Sequence, residues 1–194
     1  MTFAILVNVD ECTGCHACTA ACKIANSVPN GISFTRVISV EEGSFPLLNI
    51  RNAPVDRCMH CLEPECVPAF PVDAIAKHEE GPVVIDEDKC IGCELCFKAC
   101  PFVVPKFDKK SKKRYKCTMC YDRVKEGLEP ACVEVCPQES LKFGDRDELL
   151  REAKDWAKYV YGETEAGGTS LIYASKEPII KLGLPEKPAS GVKH

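Results

Sequence analysis

No run of 18 apolar residues occurs in the 194-residue chain, so nothing in it reads as a membrane-spanning helix. The stretch from Met1 to Val9 has no basic flank and no twin arginine, and its short apolar run ends at Asp10. It reads neither as a secretory signal nor as an anchor, and the expectation is a soluble, cytoplasmic protein with no direct membrane span. A basic surplus is missing as well: the net charge of −4 argues against general nucleic-acid binding. Equally absent are a glycine-rich phosphate loop, a nucleophile triad and a paired-carboxylate constellation. The chain is therefore not expected to be an enzyme by itself.

Cysteine is what the chain has in abundance, with fifteen residues in four spaced groups. They are Cys12, Cys15, Cys18 and Cys22; Cys58, Cys61 and Cys66; Cys90, Cys93, Cys96 and Cys100; and Cys117, Cys120, Cys132 and Cys136. The second group lacks its fourth member because Phe70 stands in that position, ahead of Pro71. A disulfide framework would bring even numbers and free spacing, whereas this odd number is locked into C-x2-C steps. A structural zinc would suit the last group taken alone. A third cysteine two residues past a C-x2-C pair gives a tetrahedral ion no advantage. It does wrap a cubane, and in the run C-x2-C-x2-C-x3-C three thiolates hold one iron–sulfur cluster while the fourth ligates its neighbour. The spacing thus points to electron transfer through several clusters, with thiolates that imply a reducing or anaerobic setting.

A short apolar strand and an acidic turn precede two of the groups: Phe3 to Val9 before Asp10 and Glu11, and Pro82 to Ile85 before Asp86, Glu87 and Asp88. Leu141 to Asp145 reads as a returning strand. Asp147 is then expected to cap a helix with apolar positions Leu149, Leu150, Ala153, Trp156, Ala157 and Val160 and a stop at Gly162. Gly167 and Gly168 turn into a strand over Ser170 to Ala174. The tail, with Pro178, Pro185 and Pro188, shows no core pattern and reads either as a disordered end or as an arm over a partner. From Lys106 to Lys116 lie seven basic residues, namely Lys106, Lys109, Lys110, Lys112, Lys113, Arg114 and Lys116, against the single acid Asp108. This segment reads as a hairpin tip, either solvated or a docking patch for an acidic carrier. His16 and His60 are expected to hydrogen-bond or shield rather than ligate, and Met59 and Met119 to pack beside the clusters.

The order of the four groups, the block Arg57-Cys58-Met59-His60-Cys61, the start Lys116-Cys117 of the last group, Phe143-Gly144-Asp145 and the stretch Tyr161 to Ser170 together carry a resemblance. Over roughly residues 3 to 174 the chain resembles the four-cluster iron–sulfur (beta) subunits of molybdenum and tungsten bis-pterin oxidoreductases. That group includes the electron-transfer subunits of formate dehydrogenase, thiosulfate reductase and dimethyl sulfoxide reductase. The resemblance implies an α+β fold of two nested ferredoxin-like modules with a C-terminal helix and extended tail. An outer module would comprise 1–50 with 112–146, an inner one 51–111, and 147–194 would form the helix and a partner-binding tail. It also implies one cluster on Cys12, Cys15, Cys18 and Cys136, a second on Cys22, Cys117, Cys120 and Cys132, and a third on Cys58, Cys61, Cys66 and Cys100.

Cys90, Cys93 and Cys96 would hold a fourth cluster whose last ligand should come from position 70, and phenylalanine cannot ligate iron. A [3Fe-4S] cluster, a [4Fe-4S] cluster completed by water, hydroxide or another side chain, and an empty site all remain open. The expected cofactors are three [4Fe-4S] clusters plus this fourth one. The expected partners are a larger pterin subunit bearing molybdenum or tungsten and a carrier such as ferredoxin or a further redox subunit. Among soluble members the chain looks like the electron-transfer subunit of a tungsten enzyme of the aldehyde oxidoreductase type, including class II benzoyl-CoA reductase. Alternatives are a subunit of a formate dehydrogenase or sulfur-compound reductase, a stand-alone polyferredoxin, and a structural zinc module.

Overall fold

The chain is seen in a computed structural model that describes residues 1–69, 73–179 and 182–185. Strand β1 (Phe3–Asn8) lies at the centre of the main sheet, antiparallel to β8 (Leu141–Asp145) and parallel to β10 (Leu171–Ser175), which pairs in turn with β9 (Tyr159–Tyr161). Side chains alternate across a strand, so β1 and β10 divide their apolar residues between two cores. Ala4, Leu6, Ile172 and Ala174 meet Leu149, Leu150 and Ala153 of helix α5 (Arg146–Trp156). Ile5, Val7, Leu171 and Tyr173 face the other way, into a core that contains Met59, Met119, Cys18 and Cys132. The cysteine loops thus sit on the face of the sheet opposite α5.

Three two-stranded hairpins complete the α+β fold: β2 (Arg36–Ser44) with β3 (Leu47–Val55), β4 (Ile75–Lys77) with β5 (Val83–Ile85), and β6 (Lys106–Phe107) with β7 (Arg114–Tyr115). Strands do precede the first and third cysteine groups, as β1 and β5, although in different sheets. Short helices carry or flank the first, third and fourth groups: α1 (Ala17–Ala25), α2 (Leu95–Lys98), α3 (Tyr121–Lys125) and α4 (Ala131–Glu134). Among the described residues no helix is long and apolar enough to cross a membrane.

The helix α5 departs from expectation at both ends. Its cap is Asp145, whose carboxylate accepts from the backbone N–H groups of Asp147 at 3.0 Å and Glu148 at 3.2 Å, so the helix begins before Asp147. It stops at Trp156 because Ala157 turns extended and Lys158 N–H bonds the Ser175 carbonyl, which delivers Val160 into β9 and not into a last helical turn. The tail is also different. Ile179, Leu182 and Leu184 are buried in the core shared with Val37 and Ala53, and the Tyr161 hydroxyl donates to the Pro185 carbonyl at 2.8 Å. Apolar residues spaced among prolines and lysines hide that packing from a periodicity search. Residues 186–194, which include Pro188, lie outside the described residues, as does Phe70.

Candidate metal centres

In each cysteine group the residue just before the second cysteine has a positive φ: Gly14 at 75°, His60 at 49°, Gly92 at 69° and Met119 at 56°. A left-handed residue inside a tight loop turns successive N–H groups inward and makes a concavity that suits an anion. One such donor is already on sulfur, with Met119 N–H 3.4 Å from Cys117 Sγ. Glycine marks two of these turns in the sequence. His60 and Met119 take the same geometry without it, and no local signal announces them.

Cys12, Cys15, Cys18 and Cys136 line one cavity, together with Val37 and Pro54 from the β2–β3 hairpin. Cys18 and Cys22 lie one turn apart on α1, which packs on α4, the carrier of Cys132. Cys22 faces a different group: burial raises its thiol pKa, and Cys117, Cys132 and Cys120 raise it further against the opposing charge of Arg57. A second cavity is lined by Cys58, Cys61, Cys66 and Cys100 with Met59, Phe102 and Lys116. Cys90 and Cys96 are buried beside Ile75, Val83 and Ile85, with Cys93 and Cys66 at the edge of that cluster. Position 70 lies outside the described residues, so the fate of the fourth ligand is not part of this geometry.

Thiols of neighbouring groups lie close enough to act on one another. The charge of Cys132 bears on Cys18, that of Cys58 on Cys117, and that of Cys96 on Cys66. Burial raises the thiols of Cys66 and Cys117 to about 12 and that of Cys96 to about 11. Cys61 is pushed higher still by the same cause. Burial pushes on Cys136 as well, but there the bonds from Ser140, Gln138 and Leu141 outweigh it and lower the thiol. Thiols as deeply buried as the others ionise only when a cation compensates them.

Arg57 is one cation the chain itself supplies, as Lys116 is for Cys66 and Arg114 for Cys96. Arg57 is 2% exposed, and its Nη2 donates to Cys132 Sγ at 2.8 Å. Burial opposes its charge, yet Cys132 and Cys117 hold the guanidinium above its ordinary pKa. Its Nε and Nη1 have no acceptor among the described residues. His60 repeats the pattern: burial, then Lys116, Lys77 and Arg57, keep the ring neutral. Its Nδ1 accepts from Val83 N–H at 2.9 Å, so the proton sits on Nε2, which is also without a partner among the described residues. Buried donors left over beside thiols are what an inserted anionic sulfide cluster would satisfy. The donor set, the inward N–H groups and the orphaned donors all fit such a group.

All fifteen cysteines are free. Four sulfurs around one zinc would stand about 3.8 Å apart, from a Zn–S bond of about 2.3 Å, and among the described residues no three His, Cys, Asp or Glu side chains converge to hold one ion. A cluster interposes iron and sulfide and takes a wider ring of thiolates. His16 is exposed at the first site, and Met59 and Met119 are buried in the core that contains Cys18 and Cys132. The basic segment needs correction: Arg114 and Lys116 are buried. Arg114 Nη2 pairs with Glu94 at 2.6 Å, with the guanidinium between the Phe97 and Phe107 rings, and Lys116 Nζ donates to the Val83 and Cys117 carbonyls.

Comparison with known proteins gives the same picture. The 4Fe-4S dicluster domain family matches residues 52–146, and the 4Fe-4S binding domain family matches residues 9–28. The protein is 39% identical to the thiosulfate reductase electron transfer subunit PhsB of Salmonella typhi, over 90% of its own length and 93% of that subunit. It is 38% identical to the B subunit of the anaerobic dimethyl sulfoxide reductase of Escherichia coli, over 80% and 79%. To the iron–sulfur subunit of the nitrate-inducible formate dehydrogenase of the same organism it is 33% identical, over 95% and 73%. A relative from Nitratidesulfovibrio vulgaris is longer, and the protein spans 57% of it at 37% identity.

Proposed function

The protein belongs to the 4Fe-4S iron–sulfur subunits of oxidoreductase complexes, and from that premise we propose that it is a non-catalytic electron-transfer subunit working beside a larger pterin subunit with molybdenum or tungsten. One observation carries the reading: two cavities are each lined by four free thiols drawn from distant parts of the sequence, Cys12 with Cys136 and Cys58 with Cys100. The proposed ligand sets are Cys12, Cys15, Cys18 and Cys136; Cys22, Cys117, Cys120 and Cys132; and Cys58, Cys61, Cys66 and Cys100. Cys90, Cys93 and Cys96 supply three ligands to a fourth centre. The modules 1–50 with 112–146 and 51–111 belong to the same proposal, with the β2–β3 hairpin running through the boundary between them.

Bound clusters supply one-electron chemistry at potentials set by burial and by hydrogen bonds to sulfur. The protein's own residues do the rest. The thiols hold the centres, the apolar walls exclude water, and Arg57, Asn26 and the loop N–H groups place positive partial charge on sulfur. Asn26 Nδ2 lies 3.5 Å from Cys120 Sγ, and the Thr118 hydroxyl anchors the amide by donating to Asn26 Oδ1 at 2.9 Å. At the first site Cys15 is exposed, and the hairpin that rises beside it ends in Phe45 and Leu47, 93% and 84% exposed. This apolar tip belongs to the hairpin whose base, Val37 and Pro54, lines the first site; it fits a covered partner interface, and we assign the catalytic subunit to that hairpin.

Turnover should therefore appear only with the larger subunit. Cys15→Ser in the assembled complex is expected to interrupt flow between carrier and catalytic metal while the partner keeps its own metal. Undiminished carrier-linked turnover, with the first centre shown to be lost, would refute the route. The finer proposal, a tungsten partner of the aldehyde oxidoreductase type such as a class II benzoyl-CoA reductase, rests on Phe70 in a ligand position. The names of the relatives lie in the formate, thiosulfate and dimethyl sulfoxide branches, so the identity of the co-purified large subunit, with its metal, decides between them.

The same ligand assignment predicts at least three cubanes, about twelve irons per chain. Phe70→Cys should add or stabilise a conventional four-iron centre with Cys90, Cys93 and Cys96, changing the paramagnetic resonance spectrum. Identical spectra and iron content in the two proteins would separate position 70 from that centre.

A further inference from the structure

With Arg114 and Lys116 turned inward, five lysines remain on the β6–β7 hairpin: Lys109, Lys110 and Lys112 exposed, Lys106 and Lys113 half-buried. No ion pair holds any of the five among the described residues. The nearby acids are already engaged. Asp108 accepts from Lys110 N–H at 3.1 Å and Ser111 N–H at 3.0 Å to shape the turn, and Glu94 is taken by Arg114. Five like charges in so short a hairpin repel one another and form a basic patch on a chain whose net charge is −4.

The hairpin is also fastened to one place. Arg114 N–H donates to Cys90 Sγ at 3.4 Å, and Gly92 lies so close beneath it that a Cβ there would run into the Lys112 carbonyl. The Phe107 ring is the next neighbour of Gly92. Phe107, whose ring lies against Gly92, and Ile91, the chain neighbour of Gly92, are 39% and 61% exposed, so exposed apolar side chains accompany the lysines at the Cys90–Cys96 loop. Exposed apolar side chains in company with charged ones suit a protein interface.

We propose that the β6–β7 hairpin is the docking surface for a small acidic one-electron carrier protein. The proposal rests on the electron-transfer reading above and names its partner by charge: one electron leaves the carrier, which is oxidised, and is taken up by this subunit, with no proton or bond moved. Charge complementarity at such a surface raises encounter rates by roughly 10- to 1,000-fold at low salt. A solvated loop would bind nothing.

The test uses the complex as purified, with an acidic ferredoxin as probe, binding measured by calorimetry at low and high ionic strength. The variant Lys109→Glu, Lys110→Glu, Lys112→Glu, Lys113→Glu is expected to bind at low salt at least about tenfold more weakly and to lose its salt dependence. Its iron content and its reduction by the cationic dye methyl viologen should match the parent. The four-glutamine variant, gentler on the fold, should fall between. Equal affinity and equal salt slope in parent and variants would overturn the docking surface while the electron-transfer role stands. Lysine-dependent binding to anionic vesicles, without binding to the ferredoxin, would overturn it in favour of a membrane surface. A fully loaded parent that methyl viologen cannot reduce would overturn the electron-transfer reading and this proposal with it.

Discussion

Stripping iron and sulfide by anaerobic chelation is expected to unfold most of the polypeptide from Cys12 to Cys136. The cysteine loops contain few regular elements, so little besides the metal holds them together. A structural metal site contributes on the order of 10 to 16 kcal/mol to folding, as much as the whole net stability of an ordinary domain, about 5 to 15 kcal/mol. Several such centres lost at once should exceed it. Hydrogen exchange should show where: protection vanishes over 12–22, 58–66, 90–100 and 117–136 and lasts longest in α5 and in β1, β8 and β10. The core that α5 shares with β1 and β10, made of Ala4, Leu6, Leu149, Leu150, Ala153, Ile172 and Ala174, has no cysteine in it. An apoprotein with the melting curve and exchange pattern of the loaded protein would show that the loops are held by the polypeptide alone.

Arg57→Gln is expected to lower the reduction potential of the centre assigned to Cys22, Cys117, Cys120 and Cys132 by on the order of 100 mV. The added electron makes the centre more negative, and a cation donating to Cys132 Sγ at 2.8 Å stabilises that state more than the oxidised one. A hydrogen bond to a charged group contributes roughly 1.5 to 3 kcal/mol, and each tenfold change corresponds to about 59 mV for one electron. Burial removes the screening that would shrink the effect at a surface. Redox titration followed by paramagnetic resonance reads it directly. Arg57→Lys, which keeps the charge without the planar donor geometry, should give a smaller drop. Unchanged potentials in the glutamine variant would leave Arg57 as a packing residue.

Much of the architecture was legible because its signals are local. The strand Leu141 to Asp145 was evident from its apolar pattern, and the C-x2-C spacings from counting alone. The β2–β3 hairpin went unread, although Val37, Ile38 and Val40 on one side and Leu47, Leu48 and Ile50 on the other of Gly43 and Pro46 carry a usable trace. The basic run misled for a physical reason. Sequence spacing cannot tell a solvated lysine from an arginine that threads between Phe97 and Phe107 to reach Glu94.

By itself the sequence determined the chemistry: fifteen cysteines at metal-binding steps, with Phe70 where the second group lacks its fourth cysteine. Thiolate coordination depends on residue type and short spacing, and both are written along the chain. Tertiary structure alone decided which thiols share a cavity across more than a hundred residues. It also decided that Arg57 and His60 are buried among them, and that the lysine hairpin is fastened over Cys90. Those outcomes depend on the parallel pairing of β1 with β10 and on the packing of α1 against α4, contacts between distant segments that no local pattern encodes.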